Sequence, residues 1–373
     1  MAGIYIHIPF CKQACHYCDF HFSTNLSRME EMVSKINREL ILRKNYLKNS
    51  AIETVYFGGG TPSLLEKGMI DSILNTIQKH FSCDWKEITL EANPDDLSSE
   101  NLKGWKDLGI DRLSLGIQSF NQEVLHFYNR AHTAEESRLA IGKAREVGFQ
   151  KFSMDLIYGY PYPDHSIWES DLQEAIKLDP GHISSYALTV EAKTALGKWE
   201  REGKFTEADE NFIAEQFEML QEHTEKSGFI QYEISNFGKP DQFALHNTNY
   251  WKGIPYLGVG PSAHSFDGAH RGANPRSNAK YINTLDQDIL PFESEILSKE
   301  DVLNEYLLTG LRTIWGINFE KIQQEYQLDL LNEKREILEK MNLEGWLIWN
   351  GNTLSLSRKG KLLADSIASA LFI

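Results

Sequence analysis

FCKQACHYCDF, at residues 10–20, places three of the four cysteines of this chain within eight positions. The segment follows the β-branched and aromatic run IYIHIPF and precedes an amphipathic stretch at 27–48, so it is predicted to be a loop between a strand and a helix. One turn of loop can bring Cys11, Cys15 and Cys18 toward one point, and thiolates bind both iron and zinc. The sequence therefore predicts a metal or iron–sulfur site directly after the first strand.

Three interpretations of the cysteines remain open on this pattern. A structural zinc site needs a fourth ligand, which His16 or His21 would have to provide. Cysteines that only fill a core are disfavoured, because the residues between them, KQA and HY, include poor core fillers. Three thiolates on a [4Fe-4S] cluster leave one iron without a protein ligand, and that iron can bind a small molecule. The spacing favours the cluster.

Short strand-like runs alternate with longer helical patterns over the first 200 residues, which is typical of repeated βα units and a parallel sheet. Six such units predict an α/β fold with a partial (βα)6 TIM-like barrel, in which functional groups gather at the carboxyl ends of the strands. The distinctive polar features do follow the strands. The candidate strands are IYIHIPF, TVYFGGG, EITLEAN, RLSLGIQS, KFSMDLIYG and HISSYALTV.

The predicted organisation has three parts. Residues 1–235 form the barrel, and residues 236–295 form an irregular segment rich in Gly, Pro, Asn and aromatic residues. Residues 296–373 are interpreted as three helices, the hairpin WLIWNGNTLSLS turning at Asn350 and Gly351, and a last helix, which resembles a winged-helix domain.

Composition limits the partners and the compartment. The net charge of −15 disfavours nucleic-acid binding, which needs basic surface. No apolar run approaches the roughly 18 residues that span a bilayer, and the start of the chain has no basic leader, so we expect a cytoplasmic protein. Contact with the inner face of a membrane stays open. Clustered cysteines in the cytosol are more often metal ligands than disulfides.

The cysteine spacing, with Tyr17 before the third cysteine and GGGTP after the second strand, resembles the radical S-adenosylmethionine (SAM) superfamily. In that superfamily the amino and carboxylate groups of SAM chelate the open iron of the cluster, and electron transfer cleaves the sulfonium. The glycines would let backbone amides approach the ligand closely. Glu91 and Asp155 could accept hydrogen bonds from its ammonium or ribose hydroxyls, and Arg130 could pair with its carboxylate.

A closer resemblance extends over nearly the whole chain. YIHIPFCKQACHYCDF, GGGTPS, RLSLGIQSF, YNRAH and DLIYGYP are similar to segments of the oxygen-independent coproporphyrinogen III dehydrogenase family and of the related HemW family of heme chaperones. The resemblance implies that the cluster ligands are Cys11, Cys15 and Cys18. It implies SAM contacts at Tyr5, Tyr17, Gly59, Gly60, Thr61, Glu91, Gln118, Arg130 and Asp155.

Two departures separate this chain from the dehydrogenase family. That family has a further cysteine two positions after the cluster motif, where this chain has Phe20. It also has an amino-terminal extension that helps to enclose the active site, whereas ten residues precede Cys11 here. Radical decarboxylation needs a site closed to water. Both departures favour the heme chaperones.

HNTNYW, at residues 246–251, matches the HNxxYW pattern associated with the HemW family. His246 offers an imidazole for axial ligation of heme iron, and Asn247 could orient that histidine or bind a propionate. Tyr250 and Trp251 offer flat apolar surface for a porphyrin. His264 is a rival ligand on the same segment.

The resemblance thus implies a protein that carries a [4Fe-4S] cluster and SAM, binds heme and transfers it to acceptor hemoproteins, some of them respiratory, without dehydrogenating coproporphyrinogen III. An electron donor is an implied partner. The alternative is a radical enzyme that oxidatively decarboxylates tetrapyrrole propionates. An RNA-modifying radical enzyme is disfavoured by the acidic charge.

Overall fold

A computed structural model describes residues 1–373 and contains one large mixed sheet and one small antiparallel sheet. The six strands predicted from the sequence are confirmed, and they lie side by side, parallel and in chain order. They are β1 (Ala2–Ile8), β2 (Ile52–Gly59), β3 (Cys83–Ala92), β4 (Arg112–Gln118), β5 (Lys151–Tyr158) and β6 (His182–Ala187).

Helices connect these strands, and their apolar faces pack against the sheet. In the second helix, Ile70, Ile73, Leu74 and Ile77 are buried, which is the spacing of one helical face. The helices of this region are α1 (Met29–Leu42), α2 (Lys67–His80), α3 (Ser99–Asp107), α4 (Gln122–Phe127), α5 (Ala134–Glu146), α6 (Ser166–Leu178), α7 (Ala195–Arg201) and α8 (Glu210–Lys226). None of the helices of the chain is long and apolar enough to cross a bilayer.

The segment expected to be irregular, 236–295, contains regular structure instead. After the hairpin of β7 (Ile230–Glu233) and β8 (Asn236–Gly238), the chain forms α9 (Leu245–Trp251), β9 (Tyr256–Val259), β10 (His264–Phe266), β11 (His270–Ala273), α10 (Asn278–Leu285) and β12 (Glu293–Ile296). β9 pairs with β1 in parallel, and the others follow, so the sheet has the order β12-β11-β10-β9-β1-β2-β3-β4-β5-β6-β8-β7. These strands of three or four residues are too short to show alternation in the sequence. They become strands because β1 offers an unpaired edge.

A buried carboxylate orders the segment from β9 to β12, which is called the extension below. Glu39 of α1 accepts hydrogen bonds from Gly260 N (2.9 Å), Asn274 Nδ2 (2.8 Å) and Tyr281 Oη (2.6 Å), and it pairs with Arg43 Nη1 (3.0 Å). Every one of these groups lies in the protein interior. The extension is therefore tied to the barrel through one side chain of α1.

The last part of the chain has its own apolar core. It contains α11 (Lys299–Leu311), β13 (Ile317–Asn318), α12 (Phe319–Tyr326), α13 (Leu330–Glu333), α14 (Arg335–Leu343), β14 (Leu347–Asn350), β15 (Thr353–Leu356) and α15 (Ala364–Ala370). β14 and β15 form the predicted hairpin, with Gly351 at a φ of 59° in the turn, and β13 completes a three-stranded sheet in the order β13-β15-β14. Helices followed by a small antiparallel sheet match the predicted winged-helix-like arrangement.

A second buried ion pair holds α9 against the amino-terminal ends of the barrel strands. Glu87 of β3 and Arg112 of β4 pair at 2.8 Å, and both side chains are 2% exposed. Arg112 also donates to the carbonyls of Gln242 and Phe243 at 3.1 Å, and Glu87 accepts from the backbone N–H of His246 at 3.0 Å. The pair thus fixes the first turn of α9.

Replacing Arg112 by Met should leave the Glu87 carboxylate buried without its partner. We expect the free energy of unfolding to fall by about 3–5 kcal/mol, as is typical when one member of a buried pair is removed. The measurement is a urea denaturation curve beside that of Arg38→Met, which removes an exposed pair with Asp288. The control should lose less than about 1 kcal/mol. Equal losses in the two variants would contradict the role given to the buried pair.

Candidate functional site

One cavity of roughly 1210 Å³ extends along the inside of the barrel. Its wall includes Gly3 and Thr54 near the amino-terminal ends of β1 and β2, and the cysteine loop at their carboxyl ends. The wall also contains all twelve residues that the sequence analysis assigns to the cluster and to SAM. These are Cys11, Cys15, Cys18, Tyr5, Tyr17, Gly59, Gly60, Thr61, Glu91, Gln118, Arg130 and Asp155.

The cysteine loop begins after β1 and is anchored by backbone hydrogen bonds. Cys11 N–H donates to the Ser23 carbonyl at 3.1 Å, and Cys18 N–H donates to the Cys15 carbonyl at 3.3 Å. The three thiols are half-buried and free of disulfides. Burial raises the pKa of the Cys11 thiol to about 11 and that of Cys18 to about 12. Thiolates at these positions would need the positive charge of a bound metal centre.

The structure does not assemble the closed zinc site that the sequence left open. No three His, Cys, Asp or Glu side chains lie close enough to ligate one ion, so the thiols line a cavity without meeting at a single point. His16 Nδ1 is 2.7 Å from the Phe127 carbonyl, and His21 Nε2 is 2.7 Å from Asn278 Oδ1. Each of the two candidate fourth ligands thus uses one ring nitrogen within the chain and keeps the other.

Of the glycines of GGGTP, Gly60 packs directly against the start of the cysteine loop. A Cβ at Gly60 would lie 2.5 Å from the Phe10 carbonyl oxygen, and Gly60 N–H donates to the Ile8 carbonyl at 2.8 Å. Thr61 N–H donates to the Phe10 carbonyl at 2.7 Å. Gly59 has a φ of 109°, which disfavours any side chain. The sequence suggested access for a ligand, whereas the structure adds a packing reason for the same residues.

Arg130 is a buried guanidinium without a carboxylate partner in the chain. It donates to Cys15 Sγ and Tyr17 Oη at 3.5 Å, to the Gly116 carbonyl at 2.8 Å and to the side-chain oxygen of Asn93. Its Nε has no hydrogen-bond acceptor. A positive charge of this kind in a cavity suits the carboxylate of a ligand.

Glu91 and Asp155 are partly buried carboxylates on the cavity wall, and neither has a cationic partner. Glu91 accepts from Tyr56 Oη at 2.8 Å and from Gly59 N–H at 3.1 Å, and burial raises its pKa to about 7. Asp155 accepts from Ser114 Oγ at 3.4 Å, and burial raises its pKa to about 6. Together with Arg130 they give the cavity two acceptors and one donor, the complement of a zwitterionic ligand.

Backbone strain marks the same wall. Gln118, at the end of β4, has a φ of 67°, a left-handed conformation that is uncommon for residues other than glycine. The pairing of β4 with β5 shifts register just before it. Such strain is concentrated at functional sites. Tyr5 of β1 also lines the cavity, and its Oη lies 3.1 Å from His7 Nδ1.

HNTNYW forms most of α9, and the helical spacing places its residues on different faces of the helix. His246 and Tyr250 are four residues apart and share a face that lines the cavity, together with Asn247. Trp251 is absent from the cavity wall, and its ring lies beneath the guanidinium of Arg312 at 5.3 Å. Of the two rings expected to offer flat surface for a porphyrin, the structure thus places Tyr250 on the cavity wall and Trp251 off it. The two rings meet edge to face at 5.3 Å.

His246 lies at the amino-terminal end of the barrel, opposite the cysteine loop. Its Nδ1 is 2.8 Å from Thr54 Oγ1, its ring centroid is 5.2 Å from that of Tyr56, and a Cβ on Gly3 would almost touch it. The expectation that functional groups gather at the carboxyl ends holds for the cysteines and fails for this histidine. The rival His264, on β10, lines the same cavity.

The cavity wall also includes charged residues that the sequence analysis missed. Arg271 and Arg276 belong to the extension around β11, and Arg112 and His182 lie near the amino-terminal ends of β4 and β6. The sequence does contain a signal for the two arginines, because the segment RGANPR, at residues 271–276, carries two basic residues in an acidic chain.

Two family models match segments of this chain. Residues 5–172 match the model of the radical SAM superfamily, and residues 297–363 match that of the HemN C-terminal domain. The chain is 31% identical to a heme chaperone HemW of Bacillus subtilis over 99% of both chains. It is 33% identical to a heme chaperone HemW of Synechocystis over 99% of this chain and 91% of the relative.

Among solved structures, the coproporphyrinogen III oxidase HemN of Escherichia coli, described as a radical SAM enzyme, is similar to this chain with a TM-score of 0.86. The similarity covers 100% of this chain and 90% of the enzyme. The identity is 21%, so this likeness shows the fold alone.

Replacing Gly60 by Ala should displace the cysteine loop, because the new methyl group would overlap the Phe10 carbonyl. We expect reconstituted protein to hold less than about half of the iron and sulfide of the unaltered chain, since close overlap in packed structure forces backbone shifts. Iron and sulfide per chain, with a far-ultraviolet circular dichroism spectrum, measure this. Gly68→Ala, at a position with open space around it, should retain full iron. Full iron in the Gly60 variant would refute the packing role.

Proposed function

The chain belongs to the HemW family of heme chaperones within the radical SAM superfamily, and from this premise we propose that it binds heme and transfers it to acceptor hemoproteins. We further propose that it holds a [4Fe-4S] cluster on Cys11, Cys15 and Cys18, binds SAM beside it, and does not dehydrogenate coproporphyrinogen III. The observation that carries the proposal is one cavity that contains both the cysteine loop and the His246 face of α9.

The residues around the cysteines suit SAM group by group. The uncompensated guanidinium of Arg130 would receive its carboxylate, and Glu91 and Asp155 would accept hydrogen bonds from its ammonium or ribose hydroxyls. When bound, a reduced cluster supplies the electron that cleaves the sulfonium in this superfamily. The backbone N–H groups of Gly60 and Thr61 hold Ile8 and Phe10, at the start of the cysteine loop, against β2, so these contacts would be held at fixed positions.

The His246 face suits heme iron. Burial lowers the pKa of His246 to about 4, so the imidazole is neutral, the form that ligates metals. Its Nδ1 is occupied by Thr54, which leaves Nε2 for iron. A hydrogen bond on the second nitrogen is the usual way to orient a ligating histidine. Tyr250, 44% exposed and on the same face, would cover one side of a porphyrin.

The cavity has room for two ligands. Pockets for a single small ligand occupy about 300–1,000 Å³, and this cavity of roughly 1210 Å³ exceeds that range. SAM beside the cysteines and a tetrapyrrole beside α9 would therefore share one cavity. Acceptor proteins and an electron donor complete the proposed partners.

A second function, oxidative decarboxylation of tetrapyrrole propionates, is favoured by the fold shared with coproporphyrinogen III oxidase. Against it stands Phe20, which lines the mouth of the same cavity with 73% of its surface exposed, at the position where the dehydrogenase family has a cysteine. The two functions differ in their product and are separated by one experiment.

Anaerobically reconstituted protein with SAM and dithionite is given hemin in one sample and coproporphyrinogen III in another. We expect a bound-heme spectrum in the first and unchanged porphyrinogen mass in the second. Loss of two carboxyl groups as carbon dioxide would establish the second function instead. His246→Ala should weaken hemin binding by about tenfold or more, equivalent to about 1.4 kcal/mol. His165→Ala, at a surface histidine paired with Glu215, serves as the control.

SAM binding should depend on pH through Glu91. Its pKa of about 7 in the ligand-free protein means that the carboxyl is protonated below this value and ionised above it. We expect SAM affinity to rise as pH increases through this range, by at most about tenfold per pH unit, because the ionised form is the stronger acceptor for the amino N–H or ribose O–H groups of SAM.

Equilibrium dialysis of SAM against reconstituted protein, one pH unit either side of pH 7, measures this dependence. Glu91→Gln should bind SAM more weakly and with a flatter pH profile. A variant that keeps the slope of the unaltered protein would assign the titration to another group.

A further inference from the structure

One wall of the cavity, called the basic wall below, carries two arginines and a histidine although the chain has a net charge of −15. The strands and loop that extend the barrel beyond β9 contribute His264, Arg271 and Arg276 to it. Burial lowers the pKa of His264, and the positive charges of Arg271 and Arg276 on the same wall lower it further. None of these residues is used by the cluster, by SAM or by HNTNYW.

Strand register places one end of this basic wall beside α9. Arg271 of β11 lies opposite Phe266 of β10, and Phe266 lies opposite Tyr256 of β9. The Tyr256 ring is 5.7 Å from that of Tyr250. Along the direction of the strands, Arg271 therefore lies at the same position as α9, which provides the proposed heme face of the cavity.

The other end of the wall reaches the cysteine loop. Arg276 Nη2 donates to the Asp19 carbonyl, and it lies 3.6 Å from the Asp19 carboxylate. By strand register, His264 of β10 lies on the cysteine-loop side of Arg271, since it is two residues from Phe266, the residue opposite Arg271.

Both arginines retain donors for a ligand. Arg271 uses two N–H groups on Glu305, and Arg276 uses one on the Asp19 carbonyl, while a guanidinium carries five. The side chain of Arg276 is 55% exposed and that of Arg271 is 33% exposed, so neither is sealed in the interior. Two arginines on one wall suit a ligand with two carboxylates better than a ligand with one.

We propose that Arg271 and Arg276, with His264 on the same wall, bind the two propionates of the heme. This assignment rests on the proposed function, because it names how that same cavity would recognise its tetrapyrrole. Heme carries both propionates on one edge, and iron ligation by a histidine orients the ring without fixing that edge. The basic wall would fix the direction in which the heme enters and leaves the cavity.

The test compares hemin with hemin dimethyl ester, in which both carboxylates are neutral. We expect full-length reconstituted protein to bind hemin more tightly than the ester, by about ten- to a hundredfold for two charge-assisted contacts. Arg271→Gln and Arg276→Gln should each weaken hemin binding by about five- to tenfold while leaving ester binding unchanged. Arg276→Lys should retain part of the preference. Arg38→Gln, at a surface arginine paired with Asp288, is the control and should match the unaltered protein.

For each variant, the ratio of its affinities for hemin and for the dimethyl ester distinguishes a loss of propionate binding from a loss of folded structure. A variant that loses hemin and ester binding equally would give its arginine a structural role and overturn the assignment for that residue. Equal affinities of the unaltered protein for the two ligands would overturn the propionate site while leaving heme binding in place. Failure to bind either ligand would instead refute the proposed function itself.

Discussion

The buried ion pair between Glu87 and Arg112 is the interaction on which the arrangement of the cavity depends. It joins neighbouring strands of the barrel and, through three backbone contacts, holds the entry to α9. Two charges that are 2% exposed are stable only if each is fully partnered, which makes their geometry demanding. Since His246 lies in the first turn of α9 and donates its backbone N–H to Glu87, its position depends on this pair.

The barrel interior then separates two sites along the length of a strand. The cysteine loop follows Ile8, whereas His246 lies beside Gly3 at the other end of β1. Five residues of a strand span about 16 Å, so on the proposed function the heme iron and the cluster would lie at opposite ends of one cavity. The polar side chains between them, Glu91 and Asp155 among them, explain why the interior is a binding space and not a packed apolar core. This separation suits a protein that carries heme beside a SAM site without bringing the two reacting centres into contact.

α9 also links the cavity to the C-terminal domain. Its last residue, Trp251, lies under Arg312, and Arg312 forms ion pairs with Glu233 of the hairpin and Asp365 of α15. Arg271 makes a comparable link through Glu305 of α11. The domain identified by its similarity to HemN_C is thus connected with both the helix and the basic wall of the cavity. A shift of α9 or of the basic wall would therefore also change the ion pairs that join the domains.

The sequence by itself determined the elements whose signal is local. The six parallel strands, the hairpin at Asn350 and Gly351, and the cysteine loop each follow from a run of residues long enough to show a period, a turn or a ligand spacing. By resemblance to families with the same motifs, it also predicts the residues of the cluster and SAM sites. The tertiary structure alone decided the short strands β9–β12, which form because β1 has an open edge and Glu39 binds their connections. It alone placed His246 at the amino-terminal end of the barrel, turned Trp251 away and set Arg271 level with α9. The physical reason is the same in each case: these positions are fixed by hydrogen bonds and ion pairs between residues far apart in the chain, such as Glu87 with His246, and no local pattern encodes such a partner.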